Sequence, residues 1–272
     1  LDFLYGAAGR GRVADPRYSP AERLKIGYDL IREAAGPETF LLGCGSPLAQ
    51  GVGRVEGMRV GPDVAPFWFD SVRYHLTRDP HAASTYFAIR SVIHRSPMHR
   101  RLWLNDPDCL LLRDREILMN ERERFSLAHA ATLTGALYFL SDRLDLVSEE
   151  GWNQEERLRS ISARCATGTV TPVGFLECAA AEVVINSAGY LGVFNFQDQE
   201  RTLTLDLSGF LLKRLAGASS LKDVWSGREY PLPGSSDRCP GAESGATARA
   251  TSQVLDIGTL GAHESKLFEL LR

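Results

Sequence analysis

The chain has little of what would mark it for a specialised environment. Its 31 lysine and arginine residues face 34 acidic ones, a formal net charge of -3, so no bulk field draws it to nucleic acid or to an anionic membrane surface. Neither partner is expected. The one local basic run, "HRSPMHRR" at 94–101, reads as a solvated helix end rather than a phosphate patch. No apolar run approaches the roughly 18 residues that a membrane helix needs, and no signal-peptide pattern stands at the start. The five cysteines, Cys44, Cys109, Cys165, Cys178 and Cys239, form an odd set without C-x-x-C spacing, which argues against both a disulfide framework and a zinc site. A reducing compartment, the cytoplasm, fits that usage best. The six histidines are scattered without metal-like spacing, so neither a metal nor a cofactor is expected. With 44% apolar and 24% charged residues over 272 positions, the remainder is an ordinary globular composition, enough for one large domain or two medium ones.

Two textures divide the chain. The first 160 residues alternate short apolar runs with longer helical patterns, the rhythm of βα units around a parallel sheet. Strands are predicted at "LDFLY" (1–5), "TFLLGCG" (39–45), "VEGMRVG" (55–61), "RRLWLND" (100–106) and "ALYFLSD" (136–142). Between them, "SPAERLKIGYDLIREAAG" (19–36) reads as a helix with Ser19 and Glu22 as a capping box, Pro20 at the first position and Gly36 as the stop. Further helices are predicted within 81–95, from Asn120 to Gly135 with Glu123 as reciprocal cap, and over about 149–163. Beyond residue 164 the pattern turns to short β-branched and aromatic runs, at 182–198, 201–207, 221–227 and 265–271, which read as an antiparallel sandwich. A loop is expected inside it at 234–250. The predicted division is therefore 1–163 and 164–272, and no internal repeat is visible. Five parallel βα units alone would leave two unpaired strand edges, which closure into a barrel normally removes. The expectation is the back part, about strands 4 to 8, of a (β/α)8 TIM barrel whose front lies elsewhere in a longer polypeptide.

In such a barrel the chemistry lies at the C-terminal ends of the strands. The polar residues predicted there are Asp2, Cys44, Ser46, Arg59, Asp63, Asn105, Asp106, Asp108 and Asp142. Asp2 is the most demanding, because an aspartate among four large apolar residues in "LDFLYG" would be costly if buried and unpaired. Carboxylates on several strand ends, with no histidine cluster among them, suit acid–base work on an uncharged substrate such as a sugar.

Four segments carry a more specific resemblance. "LDF" at the start, "LLGCGSPL" at 41–48, "RVGPDVAPFW" at 59–68 and "WLNDPDCLLLR" at 103–113 together resemble the C-terminal half of an α-galactosidase (melibiase) of glycoside hydrolase family 36, in the clan that also holds families 27 and 31. The resemblance spans nearly the whole chain, since the sandwich also fits. It implies that Asp2, matching the aspartate of a K-x-D-F motif, is the nucleophile, and that Asp63, matching an R-x-G-x-D motif, is the general acid/base of a retaining mechanism. It also implies galactose binding by Cys44 and Arg59, and by Ser46 and Trp68. Retention requires the two carboxyl groups about 5 to 5.5 Å apart, against roughly 6.5 to 9.5 Å for inversion. The apolar neighbours Val64, Phe67 and Trp68 would favour a protonated Asp63, so Arg59 is expected to face Asp2 or a substrate hydroxyl. The family's lysine two residues before the nucleophile, and the residues of its first three strands, have no counterpart here.

Structural explanations compete with these roles. Cys44 could be a small packed hydrophobe, and "NDPD" an Asx and proline turn that holds a loop. Trp103 and Trp152 are expected in the core, and His263 as a sandwich residue without chemistry. Other activities share the motifs: an α-N-acetylgalactosaminidase, or a galactosyltransferase of the raffinose-synthase kind. A catalytically incompetent piece whose sandwich mediates homo-oligomer assembly is the non-enzymatic alternative.

Overall fold

The computed structural model describes residues 1–8, 15–79, 82–174, 176, 178–207, 209–232 and 254–272. The loop expected at 234–250, with Cys239, lies outside the described residues, as does His81.

Helix α1 (Pro20–Ala35) forms as its ends dictate: Glu22 N donates to Ser19 Oγ, Ser19 N donates back to Glu22 Oε2 at 2.8 Å, and Gly36 closes it at φ +79°. Its buried Leu24 and Tyr28 pack with Leu41, Val55, Met58 and Trp103. There follow β1 (Leu42–Gly43), α2 (Leu48–Gly51), β2 (Gly57–Arg59), α3 (Ser71–Thr77), α4 (Thr85–His94), β3 (Leu104–Asp106) and β4 (Cys109–Leu110). Helix α5 (Glu121–Leu133) has the Asn120–Glu123 capping box that its sequence announces; β5 (Phe139–Leu140) and α6 (Glu149–Cys165) come next.

Strands β1, β2 and β3 pair in parallel in that order, and β4 pairs in parallel with β5. Single bonds extend the array on both sides: Leu1 N donates to Leu42 O, Cys44 N donates to Leu1 O, and Leu137 N donates to Asn105 O at 2.8 Å. Four of the five parallel strands expected are thus present as shorter pieces, β1, β2, β3 and β5, and β4 is a short strand that was not expected. "LDFLY" differs most. Phe3 takes φ +56° and residues Leu4–Ala8 wind into a 3-10 turn, because a left-handed residue breaks the period-two geometry that a strand needs.

The second half holds β6 (Val170–Val173), β7 (Val183–Asn186), β8 (Tyr190–Phe194), β9 (Arg201–Asp206), α7 (Gly209–Arg214), β10 (Ser220–Asp223), β11 (Glu229–Pro231), β12 (Val254–Leu260) and β13 (Ser265–Leu271). Six of these strands make an antiparallel sheet in the order β11-β10-β13-β8-β7-β6, and β9 with β12 make a separate antiparallel ribbon. Ile185, Leu191, Val193 and Phe268 of the sheet meet Leu203, Leu205, Ile257 and Leu260 of the ribbon in one core. From its other face Val184, Tyr190, Phe194 and Leu267 join the helical core of α4, α5 and α6. All five residues of β8 are consequently buried. Gly192 makes room there: a Cβ would lie 2.2 Å from Leu133 Cδ1 of α5, so the Leu133 side chain packs directly on the backbone of the strand. Trp103 is buried as expected, but Trp152 is exposed. The buried stripe of α6 runs through Gly151, Glu155, Leu158, Ile161 and Cys165, and Trp152 falls on its opposite side. No helix among the described residues is long and apolar enough to cross a membrane.

Candidate active site

Three parallel segments hand their polar residues to one rim. Cys44 follows β1, Arg59 ends β2 and Asp106 ends β3, and the register Arg59↔Asp106 sets the last two side by side. Arg59 is the hub. Its Nε donates to Asp106 Oδ2 at 3.0 Å, and one terminal nitrogen lies 3.0 Å from Asp63 Oδ1 and 3.1 Å from Asp108 Oδ2. Burial works against the Arg59 cation, but the Asp106 and Asp108 carboxylates outweigh it and hold its pKa above the ordinary arginine value.

The expectation that Arg59 turns away from Asp63 is therefore corrected. Beyond β2 the chain folds at Gly61 and Pro62, which carries Asp63 back over the guanidinium four residues upstream. The "NDPD" segment does hold loop structure: Asp106 Oδ1 accepts from Asp108 N at 2.8 Å, while Asp108, at φ +75°, accepts from Val64 N at 2.7 Å and Cys109 N at 2.8 Å. Its carboxylates also clamp the arginine, which the turn signal did not disclose. Asn105 is a buried bracket, accepting from Trp103 Nε1 and donating to Arg95 O. Asp142 accepts from Leu112 N and Arg113 N and pairs with Arg113, so its side chain is spent on structure.

Asp2 is exposed, with Leu1, Phe3 and Tyr5 exposed around it, so the apolar burial suggested by "LDFLYG" is absent in this chain. Its Oδ1 accepts from Phe3 N at 2.7 Å. Gly45 makes room for it: at φ +51°, a Cβ there would sit 3.2 Å from Asp2 Oδ1. Cys44 feels both candidate carboxylates. Burial pushes its thiol up to about 11; Arg59 opposes this, while a hydrogen bond to Asp2 and the charges of Asp2 and Asp63 add to it. Cys44 is thus a neutral S–H that touches Asp2, the reverse of a reactive thiolate.

The rim therefore gathers Asp2, Cys44, Arg59 and Asp63. Ser46 turns toward α1, its hydroxyl 2.6 Å from Tyr28 Oη. Trp68 does not reach the rim. It is 7% exposed, part of the helical core, with its ring against Tyr86 and stacked on His263; its apolar bulk finds more burial there than at a strand end. Asp106 and Asp108 are the members that the sequence pattern undervalued, and outside the rim His263 is another. Asp63, Asp106 and Asp108 surround a single guanidinium, an anionic surplus that repels acidic substrates and stabilises positive charge developing on a neutral one. Among the described residues no group of three or more histidine, cysteine or acidic side chains is placed to hold a metal ion.

No family model matches the sequence. Solved structures do. TtGalA, an α-galactosidase from Thermus thermophilus in complex with stachyose, is 32% identical over 58% of this chain with a TM-score of 0.50, and the chain spans 33% of that enzyme. α-Galactosidase I from Mortierella vinacea covers 92% of the chain at a TM-score of 0.62 and 13% identity, the chain spanning 62% of it. A GH27 β-L-arabinopyranosidase from Geobacillus stearothermophilus covers 96% at 0.55 and 14%, the chain spanning 56% of it. The chain has an α-galactosidase-like fold. It spans less than two thirds of the length of each of these three proteins, and the two distant likenesses concern the fold alone.

Proposed function

We propose that this chain carries the two catalytic carboxylates of a retaining glycoside hydrolase that releases terminal α-linked galactose from oligosaccharides. The observation that carries this is the meeting of Asp2, Cys44, Arg59 and Asp63 at one rim, in a chain 32% identical over 58% of its length to an α-galactosidase solved with stachyose. In this proposal the Asp2 carboxylate attacks the anomeric carbon and forms an ester to it as the glycosidic C–O bond breaks, while Asp63 gives its proton to the departing oxygen. Asp63 then takes a proton from water, whose oxygen displaces Asp2 and frees the sugar with its α configuration retained. Cys44 and Arg59 contact the sugar. Asp106 and Asp108 keep Arg59 in place and add anionic charge where the oxocarbenium-like transition state becomes positive. Residues 1–163 belong to the back of the catalytic barrel and 164–272 to the sandwich, with the front strands supplied by the rest of a longer polypeptide.

The test is hydrolysis of p-nitrophenyl α-galactoside by the chain and by the complete open reading frame that encodes it, each also as Asp2→Asn and Asp63→Asn. Each substitution is expected to lower kcat in the complete protein by about 10² to 10⁴, with α-galactose as the first product by NMR. An active protein indifferent to either change would displace the assignment. Transfer to a sugar acceptor in place of water would mark the same double displacement at work in a galactosyltransferase.

A further inference from the structure

The loop between β2 and α3 carries Asp63 at one end and Trp68 at the other, and hydrogen bonds tie it down nearly throughout. Ser84 N donates to the Asp63 carbonyl at 2.9 Å, Thr85 Oγ1 to Ala65 O at 2.7 Å, Leu118 N to Pro66 O at 2.8 Å, and Ser84 Oγ to Trp68 O at 3.0 Å. Val64 N is held by Asp108. The Trp68 ring is braced differently, from the sandwich half of the chain. His263, in the turn between β12 and β13, stacks on it with ring centroids 4.5 Å apart and planes 17° from parallel.

His263 is itself gripped at both nitrogens. Nδ1 lies 2.7 Å from Glu123 Oε1 on α5, and Nε2 lies 2.9 Å from Asp198 Oδ1 beyond β8. A carboxylate can only accept, and a neutral imidazole has a single N–H, so only the imidazolium satisfies both partners. Glu123 is the buried partner; its second oxygen caps α5 through Asn120 N at 2.9 Å. Asp198 is 95% exposed, so water weakens its bond relative to that of Glu123. The adjacent Arg122 and Glu264 pair with each other at 3.2 Å. An imidazolium over an indole face adds a cation–π attraction to the stack.

We propose that His263 is a positioning residue for Asp63: its doubly protonated ring, clamped by Glu123 and Asp198, is a platform from the sandwich that fixes Trp68 and through it the loop that carries the acid/base. The inference rests on the assignment of Asp63 to that role. Burial works against the His263 cation, but the hydrogen bonds to Glu123 and Asp198 outweigh it and hold its pKa above the usual 6.5. The platform is therefore intact at low and neutral pH and weakens as pH rises through that raised value.

Two measurements on the complete protein test this. A protonated imidazole stacked on indole quenches its emission, so tryptophan fluorescence is expected to brighten with rising pH at a midpoint above 6.5. Trp68→Phe and His263→Gln should each abolish that step, and Asp198→Asn, at an exposed position that leaves folding intact, should move it to lower pH. A step that survives Trp68→Phe, or no step at all, overturns the platform. The second measurement separates positioning from general support. Nitrophenolate departs without a proton whereas a sugar alkoxide needs one, so His263→Gln is expected to lower kcat/KM on an α-galactosyl oligosaccharide about 10-fold more than on p-nitrophenyl α-galactoside. Equal losses on both would reduce His263 to a packing residue. Should the protein hydrolyse neither, the proposed activity fails while the fluorescence step still decides whether His263 holds Trp68.

Discussion

Two histidine–tryptophan stacks join the helices to the antiparallel sheet, and they carry opposite charge states. His263 on Trp68 is met by two carboxylates and is held as a cation. His129, 1% exposed in the middle of α5, lies 6.0 Å from the Trp225 ring with planes 23° apart. Trp225 Nε1 can only donate, and at 2.8 Å it makes His129 Nε2 an acceptor; Nδ1 then carries the single proton and donates to Ser265 Oγ at 2.8 Å. Burial pushes this imidazole down to about 3, against a small opposing pull from Asp223. The same residue pair is thus a neutral bracket in one place and a charged platform in the other. The ring nitrogens' partners decide which, because neither is a carboxylate at His129 and the pull of Asp223 does not offset the desolvation there.

The largest expected effect breaks the neutral bracket. His129→Leu leaves the half-buried Trp225 Nε1 without its acceptor and takes from the buried Ser265 one of its two side-chain partners, at a cost of about 3 kcal/mol. His263→Leu lies at the edge of the core, where Glu123 keeps its bond from Asn120 N and water can resolvate Asp198, and should cost roughly half as much. Urea unfolding of the two variants checks the order. Equal losses would mean that the difference in burial and charge has no energetic consequence.

The two stacks should also respond to pH with opposite sign. The His263 pKa is raised on folding, so its contribution is complete below the unfolded value near 6.5 and is lost as pH rises through the folded value. The His129 pKa is depressed, so the fold loses stability as pH falls below 6.5 toward about 3, where the buried ring must be charged. Melting temperature against pH should show both limbs, with His263→Gln flattening the alkaline one and His129→Leu the acid one. A variant that flattened the wrong limb would exchange the two assignments.

How far these features were legible in the sequence depends on the reach of the contacts involved. Helices α1 and α5 were readable because their capping boxes, Ser19 with Glu22 and Asn120 with Glu123, lie within one turn. "LDFLY" misled because its alternation says nothing of the left-handed Phe3 that ends the extended segment. The motif "RVGPDVAPFW" located Arg59 and Asp63, but three carboxylates compete for one guanidinium, and two of them come from the loop at 106–108. Spacing within a motif cannot rank such partners. His263 was least legible of all, since Glu123 and Asp198 stand 140 and 65 positions away from it. A lone histidine in a sandwich turn gives no local sign that it is braced against the loop of a candidate acid.

The smallest expected effect asks whether the two stacks are independent. They are linked by hydroxyls: Ser126 Oγ lies 2.6 Å from the His263 carbonyl and 3.0 Å from Ser265 Oγ, which in turn accepts from His129. Ser265→Ala removes the acceptor of the His129 proton and should cost about 1 kcal/mol. Ser126 keeps its bond to the His263 carbonyl, and no atom of the His263 ring or its two carboxylates is touched. Unfolding should therefore shift while the pH midpoint of Trp68 emission stays where it is. A midpoint that moved with Ser265→Ala would make the bracket and the platform one coupled network, with the interior of α5 biasing the Asp63 loop through the backbone of His263.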